Sequence, residues 1–298
     1  MARLAIAALL LAAGCATAPR APLGEAPSYP VTLSDPVPNG AAIGRTIWAP
    51  DLGDGFVPQG LAIDGPDVLL AAYRDDRLRQ YPSRCRLSRI SIANGQRKGR
   101  VEMPAECAHA GGLAYLGHGQ LVVADTHRLW RIDVEKAFAA GAVEPALRGT
   151  LRLAGALRGS FAAFDGKDLW IGTWTRDAAQ SRMYRLDPRI FDEQDGASVD
   201  ESRALGSIPI PGEAQGAAFD AQGKLWVSTS NAASGALHRI DPATGKVLAS
   251  YEMVSGIEDL AFDRAGRLWA VSEAGAMKYL TWSRHFPVVF EIDVGKLR

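Results

Sequence analysis

From Gly60 onward, short apolar runs alternate with clusters of Gly, Asp, Asn and Lys, and the same order of runs recurs five times. Each unit opens on a small-apolar segment: GLAID from Gly60, GLAYL from Gly112, FAAFD from Phe161, GAAFD from Gly216 and DLAFD from Asp259. These starts lie 52, 49, 55 and 43 residues apart. A second run follows eight or nine residues later: LLAAY from Leu69, LVVAD from Leu121, LWIGT from Leu169, LWVST from Leu225 and LWAVS from Leu268. A third reads RLSRISI from Arg86, RLWRIDV from Arg128, RMYRLDP from Arg182, ALHRIDP from Ala236 and VVFEIDV from Val288. Runs this short, separated by turns such as FDGKD, DAQGK and DRAGR, predict hairpin-connected strands. A weaker fourth run is GRVEM from Gly99, GTLRL from Gly149, LGSIPI from Leu205 and KVLASY from Lys246. The fifth unit reaches Arg298 without one, while GRTIWA from Gly44 has the missing character and precedes the first unit.

Four strands per unit, repeated radially, predict an all-β fold: a five-bladed β-propeller of four-stranded antiparallel blades, closed by pairing residues 44–49 with 288–294. A six-bladed ring is the alternative. It needs a further blade, and the spare stretch, Ile190 to Arg203, is acidic and Ser-rich and reads as a loop. Ala72, Ala124, Gly172, Ser228 and Val271 form a small-residue column where blades converge. The Trp170, Trp226 and Trp269 column is read as packing between blades. The Arg89, Arg131, Arg185 and Arg239 column and the Asp133, Asp187, Asp241 and Asp293 column are likewise read as scaffold, the Asp residues as turn formers.

The chain is 47% hydrophobic and 22% charged, as an ordinary folded protein is. Thirty-three Lys plus Arg balance thirty-three Asp plus Glu, so no net field favours nucleic acid, and no nucleic-acid partner is expected. The N-terminus changes the picture. MARLAIAALLLAAGC has one Arg, an apolar run from Leu4 to Ala13, and small residues before Cys15. The run is shorter than the roughly 20 residues a membrane span needs and fits a signal peptide over residues 1–14. It resembles a bacterial lipoprotein signal, in which the Cys becomes the lipidated first residue, although Ala12 stands where that pattern prefers Leu. A plain signal with a chance Cys is the alternative. By the same resemblance, Ala16 implies sorting to the outer membrane, with the lipid on Cys15 as the membrane contact.

Residues 15–40 carry Pro19, Pro22, Pro27, Pro30, Pro36 and Pro38 and few large apolar residues, which predicts an extended tether ahead of a single propeller domain over 41–298. Cys85 and Cys107 remain as an even pair in an exported chain and are read as one disulfide, contributing roughly 3 kcal/mol in the chain-entropy model. A metal or redox pair is the competing reading, but their separation lacks CxxC spacing.

The patterns LAFD-x-x-G-x-LW and RIDPATGKV resemble the NHL, streptogramin-lyase and gluconolactonase-like group of bacterial propellers over residues 56–298. In such propellers the loops leading into each inner strand and those leaving each second strand open on one mouth of the central channel. The leading loops here supply Gln59, His109, Arg158, Glu213, Gln215, Glu258 and Asp259, and the leaving loops Tyr73, Asp75, Asp125, His127, Trp174, Asn231 and Glu273. Gluconolactonase-like enzymes hold a divalent cation with Glu, Asn and Asp, two of them just before the Gly that opens an inner strand. The equivalent positions are Gln59, Gly111, Ser160, Gln215 and Glu258. Only Glu258 carries a carboxylate, so it is the candidate metal ligand, with Ca²⁺ or Mg²⁺ the cation the resemblance implies.

The streptogramin-lyase resemblance implies a His beside a cation, for which His109 is the candidate. A lone His beside Gly-Gly also fits a structural hydrogen-bonding role, while its ordinary pKa suits proton transfer. Strand alternation predicts Glu258 facing the channel and Asp259 turned away. The ligand-binding candidates are Gln59, His109, Arg158, Gln215, Glu258, Glu273, Asp125 and Asn231, with Glu258 and His109 the catalytic candidates. No GxSxG, HExxH or phosphate-loop motif occurs. Two functions follow: a lipid-anchored propeller that binds a protein or small ligand at its channel mouth, or a cation-dependent hydrolase or lyase of the gluconolactonase type.

Overall fold

Every predicted run becomes a strand. The computed structural model describes residues 21–75 and 85–298, and its strands gather into five sheets. Blade 1 is Phe56–Asp64, Asp67–Arg74, Cys85–Ser91 and Arg97–Glu102, from the axis outward. Blade 2 is Gly112–Gly117, Gln120–Asp125, Arg128–Asp133 and Leu147–Leu153. Blade 3 is Phe161–Phe164, Leu169–Gly172, Arg182–Leu186 and Gly206–Pro209, and blade 4 is Ala214–Phe219, Leu225–Ser230, Gly235–Ile240 and Val247–Met253. Blade 5 takes Ile257–Phe262, Leu268–Ser272 and Val288–Ile292 from the C-terminus and Ile43–Trp48 from the N-terminal side. Ile47 lies opposite Val289 and Trp48 opposite Val288, so the ring closes through the two ends of the domain.

The six-bladed alternative falls at the Ile190 to Arg203 stretch. It holds the short helix Ile190–Glu193 and the strand Ser198–Val199, which pairs parallel with the outer strand of blade 2 and covers its edge. The signal segment and Cys15 lie outside the described residues. No helix among the described residues is long and apolar enough to cross a membrane.

The repeated columns are scaffold, as the repetition implies. In blades 3, 4 and 5 an Asp in the turn after the inner strand accepts backbone N–H groups with one carboxylate oxygen and the Trp indole N–H with the other. Asp165 takes Trp170 Nε1 at 2.8 Å, Asp220 takes Trp226 Nε1 at 3.1 Å, and Asp263 takes Trp269 Nε1 at 3.1 Å. Each buried indole is thereby satisfied and each turn pinned. The outer Asp column also serves turns: Asp187, Asp241 and Asp293 accept the N–H two residues on, and Asp133 caps the helix Val134–Ala140.

At the axis the inner strands approach so closely that a side chain is excluded at Gly112 and Gly216. A Cβ on Gly112 would overlap the backbone of Phe161 and Ala162, and one on Gly216 would overlap Asp259. Asp259 itself fills the axis: its Oδ2 accepts Leu61 N–H and Leu113 N–H, both at 2.9 Å, tying blade 5 to blades 1 and 2.

Residues 21–40 are extended, as their Pro content implies, but they lie along the flank of the propeller. Leu23 pairs with the outer strand of blade 5, its N–H donating to Thr46 and its carbonyl accepting Trp48 N–H, both at 2.9 Å. Leu23 and Tyr29 pack on the core of blades 1, 2 and 5, and Leu33 and Val37 on that of blades 4 and 5.

Candidate functional site

Three inner strands are interrupted by a register shift near their start: between Pro58 and Leu61 in blade 1, Ala214 and Gly216 in blade 4, and Ile257 and Leu260 in blade 5. Gln59, Gln215 and Glu258 sit at these irregularities, which re-aim a side chain that regular pleating would place elsewhere. The inner strands of blades 2 and 3 begin at Gly112 and Phe161 and run without such a shift beside their second strands up to Tyr115 and Phe164. The expected opposition of Glu258 and Asp259 fails for this reason. Both carboxyls turn inward and both are fully buried, Glu258 toward the mouth and Asp259 onto the axis.

The mouth is a cavity of about 940 Å³. Gln59, His109, Arg158, Gln215, Asn231, Glu258 and Glu273 all line it, so seven of the candidate residues come together there. Asp125 stands behind the wall. Its carboxylate accepts the N–H groups of Ala108, His109 and Ala110 at 3.2, 2.9 and 3.3 Å, fixing the loop in which Ala110 takes a left-handed φ of 51°. His109 thereby stacks on Tyr73, ring centroids 4.7 Å apart, and reaches Gln59 Oε1 with Nε2 at 2.6 Å. Gln59 Nε2 donates in turn to Glu273 Oε2 at 2.7 Å, and Glu273 is hydrogen-bonded to Glu258. An imidazole, an amide and two carboxyls thus form one connected row. Cys85 and Cys107 are bonded, Cα atoms 5.9 Å apart, two residues before His109, so the predicted disulfide anchors the same loop.

Burial dominates the electrostatics. It raises Glu273 to about 7, and it raises Glu258 well above the usual carboxylate range, with the neighbouring Glu273 and Asp259 charges adding to the shift. Burial lowers His109, partly offset by Asp125. Two close carboxyls cannot both ionise cheaply, so the pair holds a proton near neutrality. Glu258 is 1% exposed, and the proton held with Glu273 is what lets so buried a carboxyl remain without a cationic partner.

Sequence reasoning missed part of the wall. Residues 273–287, the loop leaving the second strand of blade 5, bring Tyr279 and Trp282 to the cavity, and Lys278 Nζ donates to Tyr73 Oη at 2.7 Å. Tyr73 and Tyr279 hydroxyls lie 3.0 Å apart, and Tyr279 stacks near Trp282 at 4.3 Å. The available signal was length: 15 residues separate Ser272 from Val288, against two between Asp125 and Arg128 in blade 2. Trp174, Tyr184, Arg176 and Arg182 from blade 3 face the cavity across from this group, with Trp174 43% exposed.

The chain matches no protein-family model and no curated protein in sequence. In structure it is similar to glutaminyl cyclase from Myxococcus xanthus, with a TM-score of 0.57 at 15% identity over 84% of this chain and 94% of that one. It is also similar to the PQQ-bound aldose sugar dehydrogenase from Streptomyces coelicolor, with a TM-score of 0.45 at 18% identity over 78% and 81%. The likeness to glutaminyl cyclase agrees with the propeller fold.

Proposed function

We propose that the protein is an exported propeller lipoprotein that binds a small ligand in its channel-mouth cavity through a hydrogen-bond donor of the ligand, such as an amine. The observation that carries this reading is the carboxyl pair Glu258 and Glu273 on the lining of a 940 Å³ cavity, beside the Gln59 amide and the His109 ring. The aromatic surfaces of Tyr279, Trp282 and Trp174 supply apolar contact, and Arg158 lies on the same lining to meet an acidic group. A ligand so placed lies beside a carboxyl pair holding a proton, which favours acid–base chemistry on it as a second reading.

A resident divalent cation does not fit these residues. Gln59 turns its amide N–H to Glu273 and spends its carbonyl on His109, and no three His, Cys, Asp or Glu side chains gather as a ligand set among the described residues. Hard cations want several oxygen donors. Calorimetric titration with Ca²⁺, Mg²⁺, Mn²⁺ and Zn²⁺ should therefore give no heat, while amines and amino acids in a thermal-shift panel should raise Tm in the wild type and not in Glu258→Gln. Cation binding abolished by Glu258→Gln, with a cation-dependent lactonase activity, would replace this reading by the hydrolase one.

The address rests on Cys15 and the segment before it. Radiolabelled palmitate should enter the wild-type protein and fractionate with the outer membrane, and Cys15→Ala should carry no label.

A further inference from the structure

Residues 274–286 form a loop whose ends are drawn together by Phe286 N–H donating to the Ala274 carbonyl at 2.6 Å. Its interior is stapled by three more turns, Ala276 N–H to Glu273, Tyr279 N–H to Ala276 and Trp282 N–H to Tyr279. Compact loops with closed necks behave as units, and this one carries Tyr279 and Trp282 to the cavity and Lys278 onto the Tyr73 hydroxyl, with Glu273 just before the neck.

The N-terminal segment crosses that neck. Tyr29 donates its hydroxyl to the Gly275 carbonyl at 2.7 Å. Ser34 N–H donates to the His285 carbonyl at 2.8 Å, and Ser34 Oγ accepts His285 N–H at 2.9 Å. Gly275 has a φ of 96°, and a Cβ there would press on His285 and Pro287, so the neck has little freedom to rearrange. The Tyr29 hydroxyl is held in a partly buried site, where burial pushes its pKa up to about 12.

We infer that the stretch read in sequence as a passive tether is the brace of the ligand site: Tyr29 and Ser34 are positioning residues that hold the neck of the 274–286 loop and so set Tyr279 and Trp282 against the cavity. The idea rests on assigning that cavity as the ligand site, but its test uses no ligand, so failure of the brace and failure of ligand binding are separable.

The experiment is hydrogen–deuterium exchange of the full chain as wild type, Tyr29→Phe, Ser34→Ala and the double variant, with 5-fluorotryptophan NMR as a second readout. Tyr29→Phe removes one hydroxyl and leaves the ring packed. The double variant should raise exchange of the 274–286 amides about tenfold, two lost hydrogen bonds of modest net worth. It should shift the Trp282 fluorine resonance, assigned through Trp282→Phe, and leave those of Trp170, Trp226 and Trp269 in place. Unchanged exchange in the loop overturns the inference, and so does a rise spread evenly over all five blades, which would mark general loss of stability.

Discussion

Glu258 and Asp259 are adjacent acids with different work. Asp259 accepts backbone N–H groups at the axis, which is structural, whereas Glu258 shares the mouth with Glu273. Their raised affinities for protons have a consequence for stability. With Glu273 at about 7 in the folded chain against 4.5 ordinarily, the folded state keeps a proton that the unfolded state has released between those values. Stability therefore falls as pH rises through that window, at up to about 1.4 kcal/mol per unit for one such group, and levels off above it. Glu258, shifted the same way, adds to the slope. Thermal unfolding at pH 5 and 8 should show a lower Tm at pH 8, and Glu273→Gln should flatten the difference. A Tm that climbs between pH 5 and 7 in the wild type would contradict the assignment.

Turns and inner strands impose the sharper steric demands. A Cβ at Gly172 would overlap the Phe161 ring across the blade, so Gly172→Ala should cost 3 kcal/mol or more, roughly the upper range for overpacking, measured by chemical unfolding. Asp220 bonds Gln222 N–H and Lys224 N–H, both at 2.9 Å, besides the Trp226 indole. Asp220→Ala should cost about 2 kcal/mol, because the buried Trp226 indole N–H loses its acceptor. Equilibrium unfolding of the two variants together tests whether the losses couple across blades 3 and 4, which share one core. The disulfide acts on an element too: Cys107→Ser should lose roughly 3 kcal/mol and raise exchange in residues 104–110, which carry His109.

Ring closure and attachment involve the entire molecule. Deleting residues 41–50 removes the outer strand of blade 5, exposing a sheet edge along Val288–Ile292, and should unfold or aggregate the protein. A soluble product of unchanged Tm would disprove closure by the two ends. The docking of Leu23 also shortens the leash. If Cys15 carries lipid, seven residues separate it from Leu23, a contour of at most about 28 Å over the eight Cα steps, against about 90 Å for a free tether to Gly40. The propeller is then held close to the bilayer by the flank of blade 5. Fluorescence transfer from a label at position 44 to a lipid-surface acceptor should be efficient, and inserting 15 Gly/Ser residues after Arg20, which adds an r.m.s. span of about 20 Å, should weaken it.

Blade number, strand order and the closing strand could be read directly from the chain, because each depends on local signals that repeat: a run of β-formers, a turn with Gly and Asp, and a fixed offset. Gln59, His109, Gln215 and Glu258 were legible for a related reason, since departure from a repeated column marks a position freed from scaffold duty. The loop residues Lys278, Tyr279 and Trp282 were not, because an unrepeated insertion has no column to depart from. Nor was the shared inward turn of Glu258 and Asp259, which depends on a register shift between Ile257 and Leu260 that no local residue pattern announces. The brace through Tyr29 and Ser34 lies furthest from local reading: its partners are 246 and 251 residues away, and only closure of the ring brings them into contact.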